Sequence, residues 1–119
     1  MSTINVRDNL RVTDNSKLLD LFTPTETVIY SGEVQKINKK KTKQLRKIVI
    51  TTESIYSIRD AGFFTTLFGK GGLIRRRIDI TKIKALVYAR LGNEFVVNVP
   101  EEFDWRIIDT QKDQIIDYI

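Results

Sequence analysis

The sequence predicts a mostly β fold: a seven-stranded antiparallel sandwich or partly open barrel, followed by a C-terminal α-helix. Short runs rich in β-branched and aromatic residues recur between residues 27 and 108, and turn residues such as Gly92-Asn93 separate them. Runs of this length at close spacing are typical of antiparallel β domains. The chain has 119 residues, which is enough for a single domain with a single hydrophobic core.

The predicted strands share a high content of Ile, Val, Tyr and Thr and are bounded by polar or turn-forming residues. A polar loop, a tight turn and a long loop join the first four of them in that order. The seven strands are Thr27–Ile37, Gln44–Thr51, Ser54–Asp60, Leu73–Ile80, Ile83–Leu91, Glu94–Val99 and Phe103–Ile108.

The N-terminal part of the chain lacks this β pattern. Residues 1–26 are predicted to form an extension with a short helix, capped by Asn15 or Ser16. The domain itself is therefore predicted to span residues 27–119.

The last residues show helical spacing. A helix is predicted from Asp109 or Thr110 to Ile119, because Ile115, Ile116 and Ile119 share one helical face. The chain ends within this pattern, as expected of a short terminal helix or of a domain cut from a longer protein.

The composition argues against an enzyme. The chain contains no His and no Cys, which excludes zinc fingers, haem or iron–sulfur ligation, disulfides, and Ser-His-Asp or Cys-His catalytic groups. The acidic cluster Glu101-Glu102-Asp104 is interpreted as a turn cap or a solvated surface. We therefore expect a binding protein that has no catalytic residues, metal or cofactor.

No targeting or membrane-spanning segment is predicted. Every apolar run is far shorter than the ~20 residues needed to span a bilayer, and the polar N-terminus lacks the apolar region of a signal peptide. Ser2 excludes N-myristoylation, which requires Gly at that position. A cytoplasmic location is expected.

Charge is distributed unevenly along the chain. The net charge is +5, but residues 34–78 hold 12 basic and 2 acidic side chains, whereas residues 93–119 hold 2 basic and 7 acidic ones. Such a separation produces a directional electrostatic surface. The partners expected for the basic segment are polyanions: an acidic membrane, a nucleic acid or an acidic protein.

The register of the first predicted hairpin places two cations together. If Val34 faces Ile48, the loop covers about residues 39–43 and Lys36 lies opposite Arg46, on the inward face that Val28 and Val34 share. Like charges at such a position are unfavourable unless they share an anion, and a phosphate fits an Arg–Lys pair. In the alternative interpretation, both side chains extend to water or pair with acidic residues of the C-terminal region.

The long loop is unusually apolar. Residues 61–72 contain Phe63, Phe64, Leu67 and Phe68, and the next strand carries the basic run Arg75–Arg77. An apolar tip beside a basic rim is typical of insertion into an anionic bilayer. The alternative is that these side chains pack on the domain's own core.

Together, the seven strands, the C-terminal helix and the basic first hairpin resemble the pleckstrin-homology superfamily, especially the pleckstrin-homology-like domains of protist proteins and class I myosin tails. The segments that carry the resemblance are Val28–Val34, Lys36–Asn38, Arg46–Thr51, Arg76–Ile80 and Glu94–Val97.

This resemblance implies a pleckstrin-homology-like fold and binding of phosphoinositides or other acidic phospholipids. It also implies that the lysine ending the first strand and the arginine of the second, here Lys36 and Arg46, contact phosphates. The family pattern has a further basic residue two positions before that arginine. This chain has Gln44 there, so the resemblance does not imply tight headgroup stereospecificity.

Two functional hypotheses follow. The first is a peripheral membrane-binding module that recognises anionic lipid headgroups; the second is a protein-interaction scaffold of the same fold. Single-stranded nucleic acid is not expected as a partner, because the aromatic residues gather in one loop instead of alternating with cations across a sheet. The predicted lipid-binding residues are Lys36, Lys39, Lys40, Lys41, Lys43, Arg46, Arg75, Arg76 and Arg77.

Overall fold

The computed structural model describes residues 6–14, 16–59 and 74–119. Within these residues the chain forms an eight-stranded, mainly antiparallel sheet and two α-helices, so the mostly β fold with a C-terminal helix is confirmed. The strands are β1 Arg7–Asp8, β2 Val28–Ile37, β3 Lys43–Thr51, β4 Ser54–Ile58, β5 Ile74–Asp79, β6 Ala85–Tyr88, β7 Glu94–Asn98 and β8 Trp105–Ile108; the helices are α1 Ser16–Leu19 and α2 Lys112–Tyr118.

Strand β2 connects the two halves of the sheet. The strand order is β5-β4-β3-β2-β8-β7-β6, and β1 adds a short parallel pairing to β2. In the described part of the chain, the end strands β5 and β6 are not paired with each other, so the sheet is not closed into a barrel. None of the helices in that same part is long and apolar enough to cross a membrane.

The main core lies on the inner face of the sheet. Helix α2 covers one end of it through Ile115, which is fully buried. Burial of aliphatic and aromatic side chains on this scale is the dominant stabilising contribution to a domain of this size. The buried members are Ile29, Tyr30, Val34, Ile48, Ile50, Ile55, Ile78, Phe95, Val97, Val99, Trp105, Ile107 and Ile115.

A second, smaller core lies on the outer face of β2, β3 and β4. Alternation along β3 sends Val49 to this face, between Ile48 and Ile50 of the main core. The N-terminal segment covers this second core with Val12, Leu18 and Phe22. The described part of the segment 1–26 therefore shields apolar sheet surface, while the domain boundary at residue 26 stays a prediction.

Asp8 fastens the N-terminal segment to β2. Its carboxylate accepts hydrogen bonds from the backbone N–H groups of Val12 and Thr13 and from the Ser31 hydroxyl. Burial opposes ionisation of Asp8, but these hydrogen bonds together outweigh it and hold the pKa of the carboxyl below its ordinary value.

The predicted register of the β2–β3 hairpin is wrong by two residues. Val34 pairs with Arg46, and Lys36 pairs with Gln44 instead of Arg46. The reason is a turn at residues 38–42, one residue earlier than predicted: the Asn38 side-chain oxygen accepts hydrogen bonds from the N–H groups of Lys40 and Thr42. Because the register differs by an even number, Lys36 and Arg46 still share a face.

The prediction that Val28 and Val34 share the inward face is wrong because of a β-bulge. The register shifts between Val28 and Tyr30, so Ile29 is an extra residue in the β2 ladder. Val28 therefore packs in the second core and does not share the inward face of Val34.

Two strands begin two residues later than predicted. Ile83 donates its N–H to the Ile80 carbonyl in a 3-10 turn, and β6 starts only at Ala85. A turn closed by the Glu102 N–H and the Val99 carbonyl likewise delays β8 to Trp105.

Glu26 connects the N-terminal segment to the outer face of the sheet. Its carboxylate accepts hydrogen bonds from the Tyr56 hydroxyl (2.7 Å), the Thr51 hydroxyl (2.6 Å) and the Thr23 N–H (3.0 Å). Burial opposes ionisation here as well, yet the donors outweigh it and lower the pKa of Glu26. Burial, together with the hydrogen bond that Tyr56 donates to Glu26, raises the pKa of the tyrosine to about 12.

We expect Glu26→Gln to lower the free energy of unfolding by about 2 kcal/mol at neutral pH, because several charge-assisted hydrogen bonds are lost. A carboxyl whose pKa is lowered by folding stabilises the protein above its unfolded pKa of about 4.3, and this contribution disappears as the pH falls through the folded value. Urea unfolding between pH 3 and pH 7 should therefore show a smaller acid-induced loss of stability in the variant.

Glu53→Gln is the matched control, because Glu53 is exposed and, among the described residues, its carboxylate accepts hydrogen bonds from the exposed hydroxyls of Thr23 and Thr25. Equal losses of stability in the two variants would contradict a special role for Glu26.

Candidate anion-binding site

A cleft of about 920 Å³ opens at the end of the sheet where the β2–β3 turn and the β7–β8 connection meet. The turn forms one wall and residues 101–104 form the other, while β3, β4 and β5 contribute side chains between them. The lining residues are Lys36, Ile37, Asn38, Lys39, Lys40, Arg46, Ser57, Arg75, Arg76, Glu101, Glu102, Phe103, Asp104 and Trp105.

Strand alternation explains why cations line this cleft. Lys36 follows the buried Val34 by two residues, and Arg46 and Arg76 each precede a buried isoleucine by two. Each cation therefore belongs to the inner face of its strand, at the end where the apolar core stops. The sheet brings together three positive side chains that are far apart in the sequence.

The convergence of cations affects the protonation of Lys36. Burial lowers the pKa of Lys36, and the positive charges of Arg46, Arg76 and Arg75 lower it further. Burial and the charges of neighbouring arginines, Arg46 first, also lower the pKa of Arg75. Like charges at close range destabilise the charged forms, so an anion bound in the cleft would relieve a repulsion built into the fold.

Arg46 is held in one orientation. Its Nη2 atom donates to the side-chain oxygen of Gln44 at 2.8 Å, and its Nη1 atom donates to the Leu45 carbonyl at 2.9 Å. Its Nε–H is buried and has no hydrogen-bond acceptor among the described residues. Gln44 thus positions Arg46.

Ser57 adds a second unpaired donor. Its side chain is only 2 % exposed and lines the cleft, and its hydroxyl has no partner within the described ranges. Ser57 pairs with Arg76 on β5 and with Ile48 on β3. Ile48 is two residues from Arg46, so Ser57 lies diagonally next to Arg46 on the inner face. Buried polar groups are nearly always paired, and two unpaired donors beside several cations are suited to a ligand rich in oxygen.

The 101–104 wall engages two cations of the cleft. Arg76 donates to the Phe103 carbonyl at 2.8 Å, lies 3.8 Å from a Glu102 carboxylate oxygen, and stacks over Trp105 at 5.6 Å. Lys39 lies 3.4 Å from the centre of the Phe103 ring, in a cation–π contact. The cations therefore form two groups, one facing this wall and one without such partners.

The structure brings six of the nine predicted lipid-binding residues into the cleft: Lys36, Lys39, Lys40, Arg46, Arg75 and Arg76. Lys41 and Lys43 are exposed and do not line it. Arg77 points to the outer face, where it contacts the Tyr56 hydroxyl at 3.2 Å and Asp79 at 3.2 Å. The role of all nine residues in lipid binding stays a prediction.

The predicted insertion residues Phe63, Phe64, Leu67 and Phe68 lie outside the described residues. The prediction that they enter a bilayer is therefore unchanged.

Sequence reasoning missed Ser57 and the residues of the opposite wall. Ser57 follows Ile55 by two residues on a predicted strand, so alternation alone could have placed it on the inner face. Phe103 and Trp105 had no comparable signal, because their approach to β5 depends on the strand order of the whole sheet.

Comparisons with known proteins support the fold and leave the ligand open. No family model and no curated protein matches the sequence. Among solved structures, the chain is similar to the C-terminal domain of an unknown protein from Leishmania infantum, with a TM-score of 0.62 and 14 % identity over 92 % of this chain and 93 % of that one. At this identity the likeness concerns the fold alone.

We expect Ser57→Ala to leave the free energy of unfolding unchanged or to raise it by about 1 kcal/mol, because it removes a buried hydroxyl that has no partner. Ser54→Ala is the matched control on the same strand: Ser54 is also buried, but its hydroxyl donates to Asp79 at 3.1 Å. That control should lower stability by about 1 kcal/mol. Urea titration measures both, and a loss of stability in Ser57→Ala as large as in Ser54→Ala would contradict the assignment of an unpaired hydroxyl.

Proposed function

We propose that this protein is a peripheral membrane-binding module whose basic cleft takes the phosphorylated headgroup of an anionic phospholipid. The observation that carries the proposal is the combination of converging cations with unpaired buried donors at Arg46 and Ser57. A structural role would leave these donors paired, whereas a bound ligand would satisfy them.

A phosphate group matches the chemistry of the cleft. It carries up to two negative charges and several strong acceptor oxygens. Arg46 can donate from Nε, Ser57 can donate its hydroxyl, and Lys36 supplies a point charge. Carboxylates fit less well, since they present fewer oxygens to donors that approach from three strands.

The surroundings of the cleft suit a membrane surface. Lys39, Lys40 and Lys41 lie in the exposed β2–β3 turn at the rim, and basic residues near an anionic bilayer contribute on the order of 1 kcal/mol each. The proposal is also supported by the resemblance of the sequence to pleckstrin-homology-like domains, which implies binding of acidic phospholipids. Membrane recruitment from the cytoplasm is part of this proposal.

The alternative function is a protein-interaction scaffold that meets an acidic partner. Phe103 favours it, because this ring is 68 % exposed and lines the basic cleft. An aromatic anchor surrounded by cations is common at protein interfaces.

The decisive experiment is co-sedimentation with vesicles of phosphatidylcholine, with and without a phosphoinositide, at low salt. We expect Lys36→Glu plus Arg46→Glu to reduce vesicle binding at least tenfold, because both phosphate contacts become repulsive. A charge-matched control is Lys82→Glu plus Lys84→Glu, since these two exposed lysines lie beyond the other end of β5.

Equal losses of vesicle binding in the two double variants would show that binding arises from general electrostatic attraction and not from the cleft. Failure of the wild-type protein to bind any anionic vesicle at low salt would refute lipid binding and favour the acidic protein partner.

A further inference from the structure

The cations of the cleft differ in the protein groups that contact them. Arg76 and Lys39 face the 101–104 wall, where Glu102, the Phe103 carbonyl and the Phe103 ring contact them. Lys36 and Arg46 have no acidic partner in the described part of the chain. We call Lys36, Arg46 and Ser57 the inner group, and Arg76 with Lys39 the outer group.

We propose that Glu102 and the Phe103 carbonyl act as an internal substitute for a phosphate at Arg76, and thereby set how many phosphates the cleft accepts readily. This inference rests on the proposed function. A single phosphate binds the inner group and leaves the outer wall in place. A ligand with two phosphate monoesters on one polyol must displace Glu102 before its second phosphate reaches Arg76.

The geometry of the Arg76 contacts makes this displacement feasible. The Arg76–Glu102 pair is long at 3.8 Å, and the Glu102 side chain is 46 % exposed, so water screens the attraction. A phosphate carries more charge than a carboxylate and can compete for the same guanidinium. Glu102 is therefore a replaceable counter-ion.

Arg76 stays in position when Glu102 leaves. Its guanidinium lies over the ring of Trp105, which is 1 % exposed and belongs to the main core. The Arg76 side chain is only 21 % exposed. The first phosphate can therefore bind the inner group without any displacement. The second phosphate reaches Arg76 only after Glu102 has moved, while Arg76 itself stays fixed.

The experiment measures binding of soluble inositol monophosphate and inositol bisphosphate by calorimetry to wild type, Glu102→Gln and Glu101→Gln. We expect Glu102→Gln to raise affinity for the bisphosphate by about two- to fivefold, the range of an exposed ion pair, and to leave the monophosphate within twofold. Glu101→Gln removes the same charge one residue away from the contact, so its effect should be smaller and equal for the two ligands.

A double-mutant cycle provides the second test. In an Arg76→Gln background, Glu102→Gln should no longer raise affinity for the bisphosphate, because the pair it frees is absent. Vesicles that carry mono- or bisphosphorylated phosphoinositides at matched surface charge show whether the same selectivity applies to lipid headgroups or only to free inositol phosphates.

The outcomes separate this inference from the proposed function. Equal effects of Glu102→Gln and Glu101→Gln, or a gain that persists without Arg76, would overturn the role of Glu102 while lipid binding stands. Absence of binding by wild type to both soluble ligands and to vesicles would overturn the proposed function, and this inference with it.

Discussion

The pairing of β2 is the constraint on which the rest of the structure depends. This strand is hydrogen-bonded to β3 along one edge, and to β1 and β8 along the other. Its inner face starts in the main core at Tyr30 and Val34 and ends at Lys36. Since side chains alternate along a strand, the same ladder that builds the core also carries a cation to the mouth of the cleft.

Arg76 and Arg77 are neighbours in the sequence but have different surroundings on the two faces of the sheet. Arg77 on the outer face reaches Tyr56 and Asp79, and the nearby carboxylate of Glu26 completes a compensated network. Arg76 on the inner face lies near other cations, and its one acidic partner within the described residues is the half-exposed Glu102, at 3.8 Å. Compensated charges on one face and converging like charges on the other are what the proposed anion-binding role would require of the fold.

Much of the fold could be predicted because its signals are local. The β-rich runs and the turn residues between them are visible within windows of about ten residues, and seven strands and the final helix follow from them. The hairpin register was wrong because Asn38 closes the turn through its own side chain. That signal was also local, whereas the bulge at Ile29 depends on how β2 pairs with β3.

The sequence by itself determined the mostly β architecture, the concentration of positive charge between residues 34 and 78, and the shared face of Lys36 and Arg46, because alternation and composition need no distant contact. Only the tertiary structure decided that Ser57 is an unpaired donor and that residues 101–104 oppose the basic hairpin. The physical reason is that these residues meet through the strand order, in which β8 lies beside β2. In that pairing Lys36 lies opposite Ile107, which is 71 residues later in the chain.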